Sequence, residues 1–198
     1  MVECYGNKSD SRTTELVEVV RNACNESKVD PIYIWVCGSR LFDLNTDKSD
    51  WDFLVISKEQ GCRVQLYEPC KIDIFVHTFE DIKWLIENYD KTSFLRCLFL
   101  LMNILVHDEL KDLVDYKTYC IKFLRECLVN KKLQIDDCVY KAIYYKYLLY
   151  YYVKHNFSFE FTDHETKKIQ MAHGRLLSAD DDLLLNQQII DLLQEQRY

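Results

Sequence analysis

The chain has 198 residues, 48% of them apolar and 14% aromatic, with only four glycines and two prolines, so it is expected to bury a real core and not to be loop-rich or disordered. A formal charge of −7 argues against broad electrostatic capture of nucleic acid, and no apolar run reaches the length a membrane span needs. Nine scattered cysteines with no C-x-x-C pair and no secretory leader point to free thiols in a reducing cytoplasm.

Residues 1–10 are polar and are expected to be loose. From Ser11 to Cys24 the residues Leu16, Val17, Val19, Val20 and Ala23 recur at helical spacing, which predicts a helix lying on one face of a sheet. Pro31 then opens an apolar, β-branched and aromatic run, Ile32 to Val36, that suits a buried strand. Gly38-Ser39-Arg40 breaks the run, and Arg40 to Leu44 is expected to be a short helix whose N–H groups favour an anion at the turn. Arg40 itself reads two ways, as a phosphate contact or as a structural ion pair with a nearby acid.

After a polar loop, Ser49-Asp50-Trp51-Asp52 leads into a second apolar run, Phe53 to Ile56. Asp50 and Asp52 are two apart, so on an extended chain both side chains project from one face. Adjacent carboxylates repel unless a positive charge lies between them, and hard oxygen donors favour magnesium. Gln60-Gly61 marks a turn, Arg63 to Tyr67 a short strand, and Glu68-Pro69 a second turn. Lys71 to Val76 is a further strand-like run in which Asp73 is the lone charge of the apolar part. If that strand lies beside the one holding Asp52, the three acids converge and two ions about 3.5–4 Å apart could be clamped there. His77, at the end of that strand, reads as a residue lining the site or as an ordinary hydrogen-bonded strand exit. Cys62, Cys70 and His77 match no common zinc spacing.

Phe79 to Tyr89 predicts a short amphipathic helix with Ile82, Leu85 and Ile86 inward. From Phe94 onward the pattern is helical, apart from a brief Phe157–Phe161 alternation. The fold class is therefore α+β: a mixed β-sheet flanked by helices over residues 1–92, followed by a helical bundle over 93–198. Cys97, Cys120, Cys127 and Cys138 fall among apolar residues and read as buried thiols. Val139 to His155 is rich in tyrosine and carries Lys141, Lys146 and Lys154. It reads as a base-stacking helix with lysines toward phosphate, or as a bundle helix with packed tyrosines and lysines in water. Asp180-Asp181-Asp182 resembles a metal cluster but suits the first turn of a last helix, Leu183 to Gln194.

The ordered set of a strand, Gly38-Ser39, Asp50-x-Asp52 opening a strand, and Asp73 inside a later strand resembles the DNA polymerase β-type nucleotidyltransferase superfamily. The wording is most similar to the stand-alone bacterial and phage-type members, which often carry Gly where this chain has Asp43. The resemblance implies a nucleoside triphosphate such as ATP held at Gly38 and Ser39. It also implies two Mg²⁺ ions, with Mn²⁺ as a substitute, on Asp50 and Asp52, and Asp73 as a metal ligand or general base. A Lys-bearing helix, a loop with Phe, Glu165–Arg175 and a last helix resemble the same group's second half. Lys141 or Lys146 would there be the basic residue facing the triphosphate in a cleft completed by the helical half. The implied activity is transfer of a nucleoside monophosphate to an acceptor hydroxyl with release of pyrophosphate. A small molecule, a protein or a short RNA end remain open as acceptor, and a homodimer is compatible with the sequence. The rival reading is a catalytically silent nucleotide-binding or antitoxin-like module on the same fold.

Overall fold

The computed structural model describes residues 11–42, 45, 49–58, 63–66, 70–91, 93–129 and 139–195. Asp43, Cys62, Cys138, the turns at Gln60-Gly61 and Glu68-Pro69, and residues 1–10 lie outside them. The protein is α+β, with a four-stranded mixed sheet in the N-terminal part and helices after it. It divides into two compact units, Met1–Glu87 and Asn88–Tyr198.

In the first unit, helix α1 (Ser11–Glu26) precedes strands β1 (Pro31–Cys37), β2 (Trp51–Ser57), β3 (Arg63–Leu66) and β4 (Ile72–His77), and helix α2 (Phe79–Glu87) follows. The strands lie in the order β1-β2-β4-β3, with β2 and β4 parallel and both outer pairs antiparallel. Strand alternation divides the residues between two faces. Ile34, Val36, Trp51, Phe53, Val55, Ile72, Ile74 and Val76 form one buried cluster with Leu16, Val17, Val20, Ala23 and Cys24 of α1. That is why the apolar positions of α1 recur every three or four residues: they form the stripe that covers this face. On the opposite face Tyr33 stacks on Trp35 and meets Phe79 of α2 edge-on. The same face carries Leu54 and Ile56, both fully buried. Asp52, Asp73 and Cys37 continue it toward the edge where β1 ends and β2 and β4 begin.

Two local boundaries differ from expectation. Strand β2 starts at Trp51, so Asp52 lies inside the ladder and only Asp50 precedes it, because Trp51 N–H already donates to Lys71 C=O at 3.0 Å. Over the described residues the helix after β1 is a 3-10 stretch, Gly38–Phe42, which already includes the Gly-Ser pair, while Leu44, its expected end, lies outside them.

The second unit comprises α3 (Phe94–Val106), α4 (Asp108–Lys111), α5 (Tyr116–Val129), α6 (Val139–Lys154), α7 (Asp163–His173) and α8 (Ala179–Glu195). Helix α6 packs against α3, α5, α7 and α8. Being surrounded, it buries Tyr144, Tyr145, Tyr147, Tyr150, Tyr151 and Tyr152 on several sides, and not along one stripe. The Phe157–Phe161 alternation is no strand. Phe157 adopts φ 62° just past the helix, and Phe157 and Phe159 turn back onto Tyr152 while Phe161 meets Tyr151. Helix α7 opens with a capping box in which Thr162 and Glu165 satisfy each other's backbone N–H groups. Cys97, Cys120 and Cys127 are buried thiols. No helix among the described residues is long and apolar enough to cross a membrane.

Candidate functional site

The acids of the first unit are brought together by register. Asp52 on β2 is the direct partner of Asp73 on β4, and Cys37 on β1 is the partner of Asp52. Parallel neighbours about 4.8 Å apart carry their paired side chains on one face, so the two carboxylates stand side by side. Asp50 lies one strand step before Asp52 and projects the same way. Asp73 is only 4% exposed, whereas the Asp50 side chain is 39% exposed, so the set runs from the sheet interior out to its rim.

Gly38 meets this set directly. Its φ of +68° is a conformation that side chains disfavour, and a Cβ there would lie 2.3 Å from Asp52 Oδ2. Glycine therefore serves twice, in letting the chain leave β1 and in leaving room for the Asp52 carboxylate. Ser39 follows in the same 3-10 stretch.

Arg40 acts on the opposite side. Its Nη2 donates to Ser49 C=O at 2.7 Å and its Nε to Asp50 C=O at 3.2 Å, while the guanidinium lies 3.9 Å over the Trp51 ring. Trp51 faces away from Asp50 and Asp52, so Arg40 clamps the backbone that delivers those acids. Burial lowers the Arg40 pKa, with Arg12 contributing and Cys70, Asp50 and Asp52 opposing.

Two residues overlooked in the sequence complete the face. Gln65, the β3 partner of Asp73, donates its side-chain amide to Asp73 Oδ1. Lys71, two residues before Asp73, places Nζ 2.6 Å from Asp50 Oδ2 and 3.6 Å from Asp73 Oδ2. The hydrogen bond and charge of Asp50 raise the Lys71 pKa above its ordinary value, with Asp73 adding and burial opposing. For Lys71 a signal was present, since the two-residue period that aligned Asp50 with Asp52 also aligns Lys71 with Asp73, whereas Gln65 reaches Asp73 only across strands. The negative character of the face is felt at Cys37, whose thiol is raised well above its ordinary pKa by burial and then by Asp52 and Asp73. His77, on the same face, is buried at the end of β4.

The two lysines predicted to meet phosphate belong to the second unit. Lys141 falls on α6, and its side chain lies outside what the structure describes. Lys146 is 5% exposed, and its Nζ donates to Asp182 Oδ1 at 2.6 Å and to Asn186 Oδ1 at 2.9 Å on α8. It is not a lysine in water, because a helix packed on several sides gives it no solvent to reach. Two of the acids at 180–182 are drawn into separate pairings: Asp182 takes Lys146, while Asp181 accepts from Ser178 N–H and Oγ, and also from Lys168 Nζ at 3.0 Å.

Among the described residues no group of three or more His, Cys, Asp and Glu side chains stands ready to hold a metal ion. The donor chemistry of Asp50, Asp52 and Asp73 nonetheless fits a hard cation. Asp52 and Asp73 are register partners, and one ammonium already lies within reach of both Asp50 and Asp73. No protein-family model matches the chain, and no curated protein matches it.

Proposed function

We propose that the chain is a magnesium-dependent nucleotidyltransferase of the DNA polymerase β type, moving a nucleoside monophosphate from a triphosphate to an acceptor hydroxyl. The observation that carries this reading is the pairing of Asp52 with Asp73 on neighbouring parallel strands, with Gly38 of the Gly-Ser turn set against the Asp52 carboxylate. Asp50, Asp52 and Asp73 would hold Mg²⁺, which when bound neutralises phosphate charge and lowers the pKa of a coordinated hydroxyl. The chain's own residues supply position. Gly38 and Ser39 offer backbone N–H groups and a hydroxyl to the triphosphate. Arg40 holds the backbone at Ser49 and Asp50, so that Asp50 meets the reacting groups in one orientation.

Asp73 is the base in this reading. Gln65 donates to Oδ1, and Oδ2 lies 3.6 Å from Lys71 Nζ. The acceptor hydroxyl oxygen attacks the α-phosphorus, the bond to the β-phosphate oxygen breaks, and pyrophosphate leaves. The hydroxyl proton passes to the Asp73 carboxylate.

The test is incubation with each radiolabelled triphosphate, Mg²⁺ and a cell extract, followed by separation of the labelled product. One triphosphate should label one class of molecule, and Asp52→Asn should abolish the label while its circular dichroism matches wild type. Undiminished labelling by the variant would refute the assignment.

One observation favours a second reading, a silent module on the same fold: Lys71 pairs internally with Asp50 and approaches Asp73. Titration calorimetry with ATP, with and without Mg²⁺, separates the two. A silent module binds nucleotide with no dependence on Mg²⁺ and releases no pyrophosphate.

A further inference from the structure

The cation position on the acid face is filled from within the chain. Lys71 lies one step beyond Ile72, the partner of Trp51, so it stands across from Asp50 just as Asp73 stands across from Asp52. The four side chains form a two-by-two patch of three acids and one base. Nζ is 2.6 Å from Asp50 and 3.6 Å from Asp73, each within ion-pair reach.

We propose that Lys71 is a displaceable counter-cation. It keeps Asp50 and Asp73 together while no substrate is bound, and it yields its place between them to the divalent ion that arrives with the nucleotide. The inference rests on the nucleotidyl-transfer reading and deepens it by assigning a regulator of metal affinity.

Two properties make Lys71 suited to leaving. Its side chain is 51% exposed, so on release the ammonium is hydrated by solvent already in contact with it. Exposed lysine–carboxylate pairs are also weak, and the four-carbon stem swings without moving the strand. Lys146 shows the contrast within the same chain: buried, with two oxygen partners, it is built to stay. The face is more acidic than basic even with Lys71 in place, so a divalent ion meets net attraction once the ammonium has moved aside. The free chain is then expected to bind metal more weakly than its acids alone would allow. Binding strengthens when a triphosphate brings further oxygen ligands, which ties the ion to the substrate.

The experiment measures free Mn²⁺ by electron paramagnetic resonance during titration into the full chain, with no nucleotide present. Wild type is compared with Lys71→Gln, Lys71→Met and Lys71→Arg, and Asp52→Asn marks loss of the site. Removing the charge should tighten Mn²⁺ binding about three- to tenfold. Lys71→Arg, which keeps the charge, should stay within about twofold of wild type. Equal or weaker binding by both neutral variants, alongside measurable wild-type binding, would overturn the role of Lys71 and leave the metal site standing. Absence of Mn²⁺ binding in wild type and in both neutral variants would overturn the metal site itself, and this inference with it.

Discussion

Replacing Gly38 by alanine tests whether the turn and the acid are built as one unit. The added Cβ would sit 2.3 Å from Asp52 Oδ2 and 3.0 Å from its Cγ, so the carboxylate must move by about an ångström to reach ordinary contact. Holding alanine at φ +68° costs about 1 kcal/mol, and pushing Asp52 off its rotamer costs about 0.5–1.5 kcal/mol more. The sum is about 2 kcal/mol, measured as a change in the midpoint of urea unfolding at constant slope. The informative comparison is the same substitution in an Asp52→Ala background, where the obstructing carboxylate is gone and only the backbone term of about 1 kcal/mol remains. Non-additivity of about 1 kcal/mol is therefore expected. An identical cost for Gly38→Ala in the two backgrounds would refute the contact between turn and acid.

Three further outcomes follow from the same structure. Arg40→Ala loses two bonds to carbonyls and the stack on Trp51, so urea unfolding should show a loss of about 2–3 kcal/mol. Arg40→Lys should recover little of it, because an ammonium cannot serve both carbonyls and lie flat on the ring. Lys146→Ala leaves Asp182 and Asn186 without their donor and should cost about 2–3 kcal/mol, whereas Lys146→Met fills the same space and should cost less in the same assay. Glu165 is pushed up by burial, but bonds from Lys154, Thr162 N–H, His155 and Thr162 Oγ1 outweigh that and hold its pKa at about 2, below the ordinary 4.5. Its contribution is thus full above about pH 4.5 and is lost as pH falls toward about 2. Glu165→Gln should flatten the acid limb of a plot of stability against pH by circular dichroism.

Much of the sheet was legible because its strands announce themselves. Ile32 to Val36, Phe53 to Ile56 and the Lys71 to Val76 run are dominated by apolar residues, many of them buried, and Asp73 stands out as the lone acid inside the last of them. Their convergence was conditional on β4 lying beside β2, and the register supplies that condition. What escaped was pairing across elements. The partners of Arg40 are carbonyls nine and ten residues on, and those of Lys146 lie 36 and 40 residues on, separations at which no sequence period operates. Lys71 escaped for a different reason, since a lysine at a strand's start is usually solvated. The rim acids make this one an ion-pair partner. The aromatic alternation at 157–161 misled because packing back onto Tyr151 and Tyr152 produces the same two-residue spacing as strand pairing.

The central claim is that Asp52 and Asp73, paired across β2 and β4, act on one nucleotide. It is tested most directly by pyrophosphate release from the triphosphate that labels a product, measured for wild type, Asp52→Asn and Asp73→Asn at saturating Mg²⁺. Each variant should fall about 10³-fold or more, with the double variant little worse than either single one, because groups that act as a unit fail together. Release by Asp73→Asn at the wild-type rate would contradict the account.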